Sequence, residues 1–231
     1  MTVTAHPGRR ALVGVPAVVA FVLAACSSGG AAPEPTSTAA SGAGGGGAPA
    51  GCPTSQPAPL AAGETRTVTI ATALGEIQLR IEADLSPIAA GNFVALAACG
   101  WYDGVVFHRV VPGFVIQGGD GQFGRIDAYD PTQVGTGGPP YTIQDEAVTT
   151  TYHRGTVAMA RTAAPDSVGS QFFIVLDDAA AASLADPQYN NYQIIGEVTS
   201  GMDTVDSIAG SADAEQPSRP VVMDDVTVSE P

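Results

Sequence analysis

Residues 107 to 120 read FHRVVPGFVIQGGD and carry most of two runs that are rich in residues typical of β-strands, at 105–110 and 114–117. Further runs of the same character follow at residues 156–160, 172–176, 193–198 and 221–228. Between these runs there is no regular alternation with helical segments. The pattern therefore favours an antiparallel, mainly β domain over a doubly wound sheet.

Two more strands are predicted before this stretch, on either side of Leu74 and Gly75. Apolar residues occupy every second position there, which is the period of a half-buried strand. They are Val68, Ile70, Ile77, Leu79 and Ile81. With this hairpin the count reaches about eight strands, which predicts a closed antiparallel β-barrel.

Two short helices are predicted beside the strands. The first begins with Ser86 as N-cap and Pro87 at the first helical position, and it ends before Gly100. Its apolar face would consist of Ala89, Phe93, Leu96 and Ala97. The second would place Met202, Val205 and Ile208 on one face before Gly210.

The N-terminal part has the organisation of a secreted lipoprotein. Basic residues precede an uncharged, mostly apolar run of 15 residues, which is shorter than the roughly 20 needed to span a bilayer. The run ends in LAAC, which resembles a bacterial lipobox, so residues 1–25 are predicted to be a signal peptide and Cys26 the acylated N-terminus. The alternative is an ordinary signal peptide followed by an incidental cysteine.

Residues 26–63 are predicted to be a tether between the membrane and the domain. They are rich in Ala, Gly, Pro, Ser and Thr and contain too few large apolar residues to form a core. A flexible chain of about 37 residues spans roughly 35 Å. The folded domain is predicted to occupy residues 64–231, outside the cytoplasm and held to the cell membrane by lipid.

The charge balance limits the partners. The nine basic residues are all arginine, and the 23 acidic residues give a net charge of −14. Such a chain is not expected to bind nucleic acid or to adhere to anionic lipid by charge. Membrane attachment would therefore depend on the acyl chains.

Several motifs that could carry other chemistry fail. Residues 119–124 match G-x-G-x-x-G, but no helix is predicted after them to hold a phosphate group. His108 and His153 have no nearby serine or carboxylate in the pattern of a catalytic triad. The cysteines lack zinc spacing. We therefore expect neither a metal nor a cofactor.

Three segments together resemble the signature of the cyclophilin family. They are FHRVVPGFVIQGGD at 107–120, GTVAMA at 155–160 and GSQFFI at 169–174. The resemblance extends from about residue 67 to residue 228. Cyclophilins are eight-stranded antiparallel barrels capped by two helices, in agreement with the strand pattern. The resemblance implies a peptidyl-prolyl cis-trans isomerase that acts on proline-containing segments of proteins and assists their folding, most simply as a monomer.

The resemblance also implies how the reaction is catalysed. Rotation about an X-Pro bond is slow because amide resonance must be broken, at a barrier of about 18–20 kcal/mol. At the twisted transition state the prolyl nitrogen regains its lone pair, so a fixed donor aimed at it lowers the barrier. By resemblance that donor is Arg109, which stays charged at all relevant pH values. Gln117 would be the polar neighbour that orients the guanidinium and the substrate.

Four residues are implied as the apolar pocket for the proline ring. They are Phe114, Val115, Phe173 and Leu184. From the sequence alone, Phe114 and Phe173 fit the hydrophobic core equally well, and only the resemblance places them in a binding site.

The remaining candidate residues include departures from the family pattern. Ala160 and Gln171 would hold the substrate backbone extended. Arg161 stands where well-known eukaryotic members have asparagine, so we expect binding to survive with an altered preference near the site. Tyr192 stands where many members have histidine, and we expect activity to tolerate this change. No tryptophan follows Gln171, the only one being Trp101, and we therefore expect cyclosporin to inhibit weakly.

Cys52 and Cys99 remain after lipidation of Cys26. A location outside the cytoplasm permits a disulfide, which would pin the end of the tether to the C-terminus of the first helix. The alternative is a buried, reduced Cys99 and an exposed Cys52 without a function.

Two other functions remain open at this stage. The domain could be a binding module or chaperone for proline-containing peptides in which turnover has no physiological role. It could also be a structural envelope lipoprotein with a decayed site, although the retention of Arg109, Gln117 and Phe173 speaks against decay.

Overall fold

Each predicted β-rich run forms one or two strands in the computed structural model, which describes residues 48–186 and 191–230. The runs at 105–110 and 221–228 are each divided in two, so the described residues contain ten strands. The strands are β1 (Thr65–Thr72), β2 (Gly75–Glu82), β3 (Val105–Val106), β4 (Arg109–Val111), β5 (Val115–Gly118), β6 (Thr156–Met159), β7 (Phe172–Val175), β8 (Ile194–Ser200), β9 (Val222–Met223) and β10 (Asp225–Ser229).

Eight of these strands form one antiparallel, curled sheet in the order β10-β1-β2-β8-β6-β7-β5-β4. Strands β3 and β9 pair separately. The hydrogen-bonded order runs from β10 to β4, and closure of the sheet into a barrel stays a prediction. At the β2–β8 contact, a Cβ on Gly196 would lie 1.9 Å from the carbonyl oxygen of Arg80, so only glycine allows these backbones to approach so closely.

The prediction of two helices is wrong in number, because three α-helices lie in the described residues. They are α1 (Pro87–Ala98), α2 (Asp178–Leu184) and α3 (Met202–Ser211). The additional helix α2 begins where the side chain of Asp177 accepts a hydrogen bond from the amide of Ala180. Its seven residues are mostly alanine, too short and too uniform to show a helical period in the sequence.

The first helix is capped by a residue distant in sequence. Ser86 occupies the N-cap position and Pro87 follows it, as predicted, but the side chain of Ser86 makes no capping bond. The amides of Ile88 and Ala89 instead donate to the two carboxylate oxygens of Glu146, at 3.0 and 2.9 Å. This contact satisfies the free amides of the helix and fastens the loop around Glu146 to α1.

The sheet has apolar clusters on both faces. Because successive residues of a strand point to opposite faces, Ile116 and Ile174 join the main core, with the apolar residues of β1, β2 and α1. Their neighbours Val115, Phe173 and Val175 join a second, smaller cluster with Ala180, Ala181 and Leu184 of α2. Helix α2 therefore covers part of the outer face and leaves an apolar margin beside it.

Part of the predicted tether packs on the domain. Cys52 and Leu60 are partly buried against the main core, and the amide of Leu60 donates to the first carbonyl group of α1 at 3.1 Å. A Cβ on Gly91 of α1 would lie 2.5 Å from the carbonyl oxygen of Ala58, so a glycine at this position allows the close approach. The domain was predicted to begin near Glu64, whereas these contacts begin at Cys52.

A disulfide joins Cys52 to Cys99, with the Cα atoms 5.1 Å apart. It attaches the N-terminal segment to the C-terminal end of α1. The predicted signal peptide, Cys26 and the first part of the tether lie outside the described residues. Among those described, no helix has both the length and the apolar character that a membrane crossing requires.

We expect the double substitution Cys52→Ser and Cys99→Ser to lower the free energy of unfolding by about 2–4 kcal/mol, because the bridge closes a loop of the unfolded chain. The cysteines are 47 residues apart. Urea denaturation of the unreduced wild type and the variant measures the difference, and reduced wild type should match the variant. Two free thiols titrating in unreduced protein that carries Cys26→Ser would contradict the bridge.

Candidate active site

The turn between β4 and β5 fixes the register of the strands that carry the candidate residues. Pro112 and Gly113 are its central residues, Gly113 has φ of +70°, and the amide of Phe114 donates to the carbonyl of Val111 at 2.9 Å. Proline followed by a residue with positive φ is the arrangement of a type II turn. This tight turn sets Val111 opposite Val115 and thereby fixes every other pair in the hairpin.

The register aligns a cation, an amide and an aromatic ring across neighbouring strands. Arg109 of β4 lies opposite Gln117 of β5, and Gln117 lies opposite Phe173 of β7. Phe173 in turn lies opposite Ala158 of β6. Directly opposed residues of antiparallel strands share a face, so this row lies on the outer face of the sheet. The same face carries the smaller apolar cluster.

A pocket of about 110 Å³ opens at this row. Nearly all the predicted site residues line it, Gln171 being the exception. The lining consists of Arg109, Phe114, Val115, Gln117, Ala160, Arg161, Phe173, Leu184 and Tyr192. One end of the pocket is thus apolar, while Arg109 and Gln117 supply polar groups, which is the composition of a site that binds and orients an apolar ligand group.

Two walls of the pocket come from outside the strands. The ring of Tyr192 packs edge-on against Phe173, with the centroids 5.3 Å apart and the planes at 87°. Leu184 is the last residue of α2 and is 4 % exposed. The helix that the sequence analysis missed therefore positions a predicted pocket residue.

Arg109 bonds to a different partner from the one expected. Its Nε donates to Oε1 of Glu215 at 2.7 Å, and the Arg109 side chain is 37 % exposed. Gln117 was predicted to orient the guanidinium. It lies opposite Arg109 on the neighbouring strand, and its side-chain amide nitrogen donates to Oε1 of Gln171 at 3.0 Å. Sequence reasoning missed Glu215 because it lies 106 residues from Arg109 in a loop with no recognisable motif.

Gln171 fixes the orientation of Gln117. Its Nε2 donates to the carbonyl oxygens of Gly135 and Gly137, both at 2.9 Å, so its own oxygen is left to accept the bond from Gln117. Gln171 lines a larger neighbouring cavity of about 490 Å³ that shares Gln117, Ala160 and Arg161 with the smaller pocket. Because they share these residues, the two cavities adjoin and form one elongated cleft.

The loop that forms this cavity is held by a buried carboxylate. Asp120 is fully buried, and its two oxygens accept bonds from the amides of Gln122, Phe123, Gly135 and Gly137 at 2.8–3.1 Å. The G-x-G-x-x-G match thus belongs to a loop that supports the cleft, and a three-residue 3-10 helix follows it in place of an α-helix.

Arg161 braces the cleft from the other side. Its side chain is 9 % exposed, and Nη2 contacts the carboxylate of Asp145 at 3.0 Å. The guanidinium also donates to the carbonyl oxygens of Thr162, Ala164 and Asn191. The charge of Arg161 is therefore paired within the walls of the cleft. Arg161 also connects the loop after β6 to the segment that carries Tyr192.

The two histidines within the described residues differ in environment. His153 is half exposed and its Nε2 lies 3.1 Å from Glu197. His108 is 4 % exposed, and neither ring nitrogen has a hydrogen-bond partner among the described residues. Burial lowers the pKa of His108 from 6.5 to about 4, against an opposing contribution from Asp120. The described residues contain no group of three or more His, Cys, Asp or Glu that could hold a metal ion.

Comparison with known proteins identifies the family. The model of the cyclophilin type peptidyl-prolyl cis-trans isomerase family matches residues 67–228. A probable peptidyl-prolyl cis-trans isomerase of Brucella abortus is 42 % identical over 158 residues, which is 67 % of this chain and 77 % of that protein. Peptidyl-prolyl cis-trans isomerase A of Dickeya dadantii is 36 % identical over 152 residues, which is 65 % of this chain and 75 % of that one.

Solved structures agree with this result. A cyclophilin type isomerase of Cryptosporidium parvum matches 72 % of this chain and 99 % of its own, with a TM-score of 0.59 and 29 % identity. A second structure of that protein, determined in the presence of the dipeptide Ala-Pro, has a TM-score of 0.58 and 29 % identity, and the match covers 71 % of this chain and 99 % of that one. The chain belongs to the cyclophilin type peptidyl-prolyl cis-trans isomerases, and its activity is the cis-trans isomerisation of peptidyl-prolyl bonds.

Weak inhibition by cyclosporin stays a prediction, and the position of Trp101 supports it. Trp101 is 2 % exposed and its Nε1 donates to the carbonyl of Gly119 at 3.3 Å, so its ring belongs to the core. It does not line the pocket. A peptide isomerisation assay with added cyclosporin tests this, and inhibition at nanomolar concentration would contradict it.

We expect His108 to make stability fall as the pH is lowered from 6.5 to 4. In this window the unfolded chain binds a proton at His108 that the folded protein does not, so acid favours unfolding by up to about 3 kcal/mol. Titration of the ring by NMR should give a midpoint near pH 4. A midpoint near the ordinary value of 6.5 would contradict the burial of a neutral ring.

Proposed function

We propose that Arg109 is the catalytic residue and that the protein isomerises X-Pro bonds of other proteins outside the cytoplasm, where it assists their folding. The observation that carries the catalytic part is a pocket in which Arg109 and Gln117 meet the apolar side chains of Phe114, Phe173 and Leu184.

The shape and polarity of the pocket fit a proline residue and its peptide bond. The apolar end, formed by Phe114, Val115, Phe173 and Leu184, takes the pyrrolidine ring, which has no polar group to satisfy. The ring is then held while the preceding carbonyl group rotates. Because the bond rotates without being cleaved, the reaction needs no nucleophile and no exchange of atoms with the protein.

Arg109 acts on the twisted transition state. As resonance is lost, the prolyl nitrogen becomes a hydrogen-bond acceptor, and a guanidinium NH group aimed at it binds the transition state more strongly than the planar substrate. The guanidinium is already fixed at Nε by Glu215, so little reorganisation is needed during the reaction. Gln117, held by Gln171, offers its carbonyl oxygen to the substrate backbone.

The substrates are extended, proline-containing segments of incompletely folded proteins. The larger cavity beside the pocket gives room for neighbouring residues of such a segment. Ala160 and Arg161 border both cavities, so the chain of the substrate runs past them, as the resemblance to cyclophilins implies. The presence of Ala-Pro in the structure determination of a related protein accords with this class of ligand.

The proposed location is outside the cytoplasm, with a lipid anchor on Cys26. The support is the basic start, the apolar run and the LAAC ending of residues 1–26. The disulfide between Cys52 and Cys99 accords with an oxidising compartment. An anchored isomerase would meet proteins as they emerge from the membrane, when their prolyl bonds have not yet reached the native isomer.

We expect Arg109→Ala to lower kcat/KM by about 100-fold or more, because the donor to the prolyl nitrogen is lost. The assay is protease-coupled isomerisation of an uncharged X-Pro peptide by the mature chain carrying Cys26→Ser. Arg80→Ala is the matched control, since Arg80 is an exposed arginine paired with Glu82 and Glu197. It should keep wild-type activity.

An Arg109→Ala variant that turns over the peptide as fast as the wild type would contradict the catalytic assignment. Loss of turnover without loss of the cellular role would instead favour a peptide-binding or chaperone function. A strain that carries only the Arg109→Ala variant shows whether the cellular role survives when turnover is lost.

We expect Cys26→Ser to move the protein from the membrane to the soluble fraction, because the charge of −14 gives no other means of adhesion to an anionic surface. Metabolic labelling with a fatty acid should mark the wild type and not the variant. Cys52→Ser is the control and should remain labelled. Membrane association that survives Cys26→Ser would contradict the lipid anchor.

A further inference from the structure

The loop between α3 and β9 is fixed against the strand that carries Arg109. Strand β4 is the last in the sheet order, so one of its edges has no neighbouring strand among the described residues. At that edge the amide of Val110 donates to the carbonyl oxygen of Glu215 at 2.7 Å. The backbone of Glu215 is therefore bound next to Arg109, and its side chain does not have to reach across a flexible gap.

The same loop is held at two further points. Nε2 of Gln216 donates to the carbonyl oxygen of Pro131 at 2.7 Å, and the amide of Phe107 donates to the carbonyl oxygen of Val221 at 2.9 Å. Within the loop, Ser218 bonds to the carboxylate of Asp213 through its amide and its hydroxyl. These contacts restrain the loop on both sides of Glu215.

The contact with Glu215 involves only the Nε–H group of the Arg109 guanidinium. Only Nε is bound, at 2.7 Å from Oε1 of Glu215, and the structure gives no other side-chain partner for Arg109 within the described residues. Because the guanidinium is planar, fixing the direction of the Nε–H bond fixes its plane. The two NH₂ groups have no partner among the described residues, and Arg109 lines both the 110 Å³ pocket and a second cavity that Glu215 also lines.

Stability does not account for this ion pair. The side chains of Arg109 and Glu215 are 37 % and 64 % exposed, and exposed ion pairs contribute little to the free energy of folding. The ion pair can instead affect orientation, because a catalytic donor that is misplaced by about 1 Å stabilises the transition state much less. The contact is therefore better explained by the orientation that it gives to Arg109 than by stability.

We propose that Glu215 is the positioning residue of Arg109, holding the guanidinium plane so that its NH₂ groups face the prolyl nitrogen. This inference rests on the proposed function of Arg109. It assigns to a loop carboxylate the role expected of Gln117, whose amide nitrogen is bound to Gln171 instead. Glu215 acts through Arg109 and has no contact with the substrate in this account.

The test compares kcat and KM for an uncharged X-Pro peptide in the mature chain with Cys26→Ser. We expect Glu215→Ala to lower kcat by about fivefold, with KM changed by less than about twofold. Glu215→Gln keeps an acceptor for the Nε–H and should restore most of kcat. Glu76→Gln is the matched control, because Glu76 is an exposed carboxylate on β2 whose loss changes the net charge by the same amount.

A double-mutant cycle separates positioning from a general effect on the fold. Glu215→Ala should have no further effect in an Arg109→Ala background, since no guanidinium is left to orient. An unchanged or increased kcat in Glu215→Ala, or the same fivefold loss in both backgrounds, would overturn the proposal. If the wild type itself fails to turn over the peptide, the proposed function fails as well. Activity that is lost in Arg109→Ala and kept in Glu215→Ala overturns this inference alone.

Discussion

The antiparallel register between β4, β5 and β7 is the constraint on which the rest of the site depends. It places Arg109 opposite Gln117 and Gln117 opposite Phe173, so one row holds a permanent cation, a neutral amide and an aromatic ring. The turn at Pro112 and Gly113 sets the β4–β5 register, and a slip of one residue would turn the side chains of the shifted strand to the opposite face of the sheet. A catalyst that works by orientation needs a backbone of this rigidity more than it needs reactive groups.

The alternation of side chains along the strands also produces an apolar outer face. A sheet of this kind needs only one apolar face for its core, yet β5, β6 and β7 are apolar on both. Helix α2 covers part of the outer face, and what it leaves uncovered becomes the pocket. Around it, the buried carboxylate of Asp120 and the guanidinium of Arg161 hold the two loops that widen the pocket into a cleft.

The sequence predicted the features that local periodicity encodes, and it failed where distant contacts decide. The hairpin of β1 and β2 follows from an apolar residue at every second position, and α1 follows from its flanking residues. Helix α2 is a short run of alanine, whose position depends on the cap at Asp177 and on the sheet beneath it. Phe173 could not be assigned to core or site from its type, because only the register shows which face it occupies. The hydrogen bond between Arg109 and Glu215 joins residues far apart in the chain, so no local sequence pattern predicts it.

The most direct test of this account is a crystal structure of the mature domain with a bound X-Pro peptide. In such a structure the proline ring should lie between Phe114, Phe173 and Leu184. An NH₂ group of Arg109 should face the prolyl nitrogen while Glu215 still binds Nε. A proline ring bound elsewhere, or a guanidinium turned away from the peptide while the enzyme is active in solution, would contradict it.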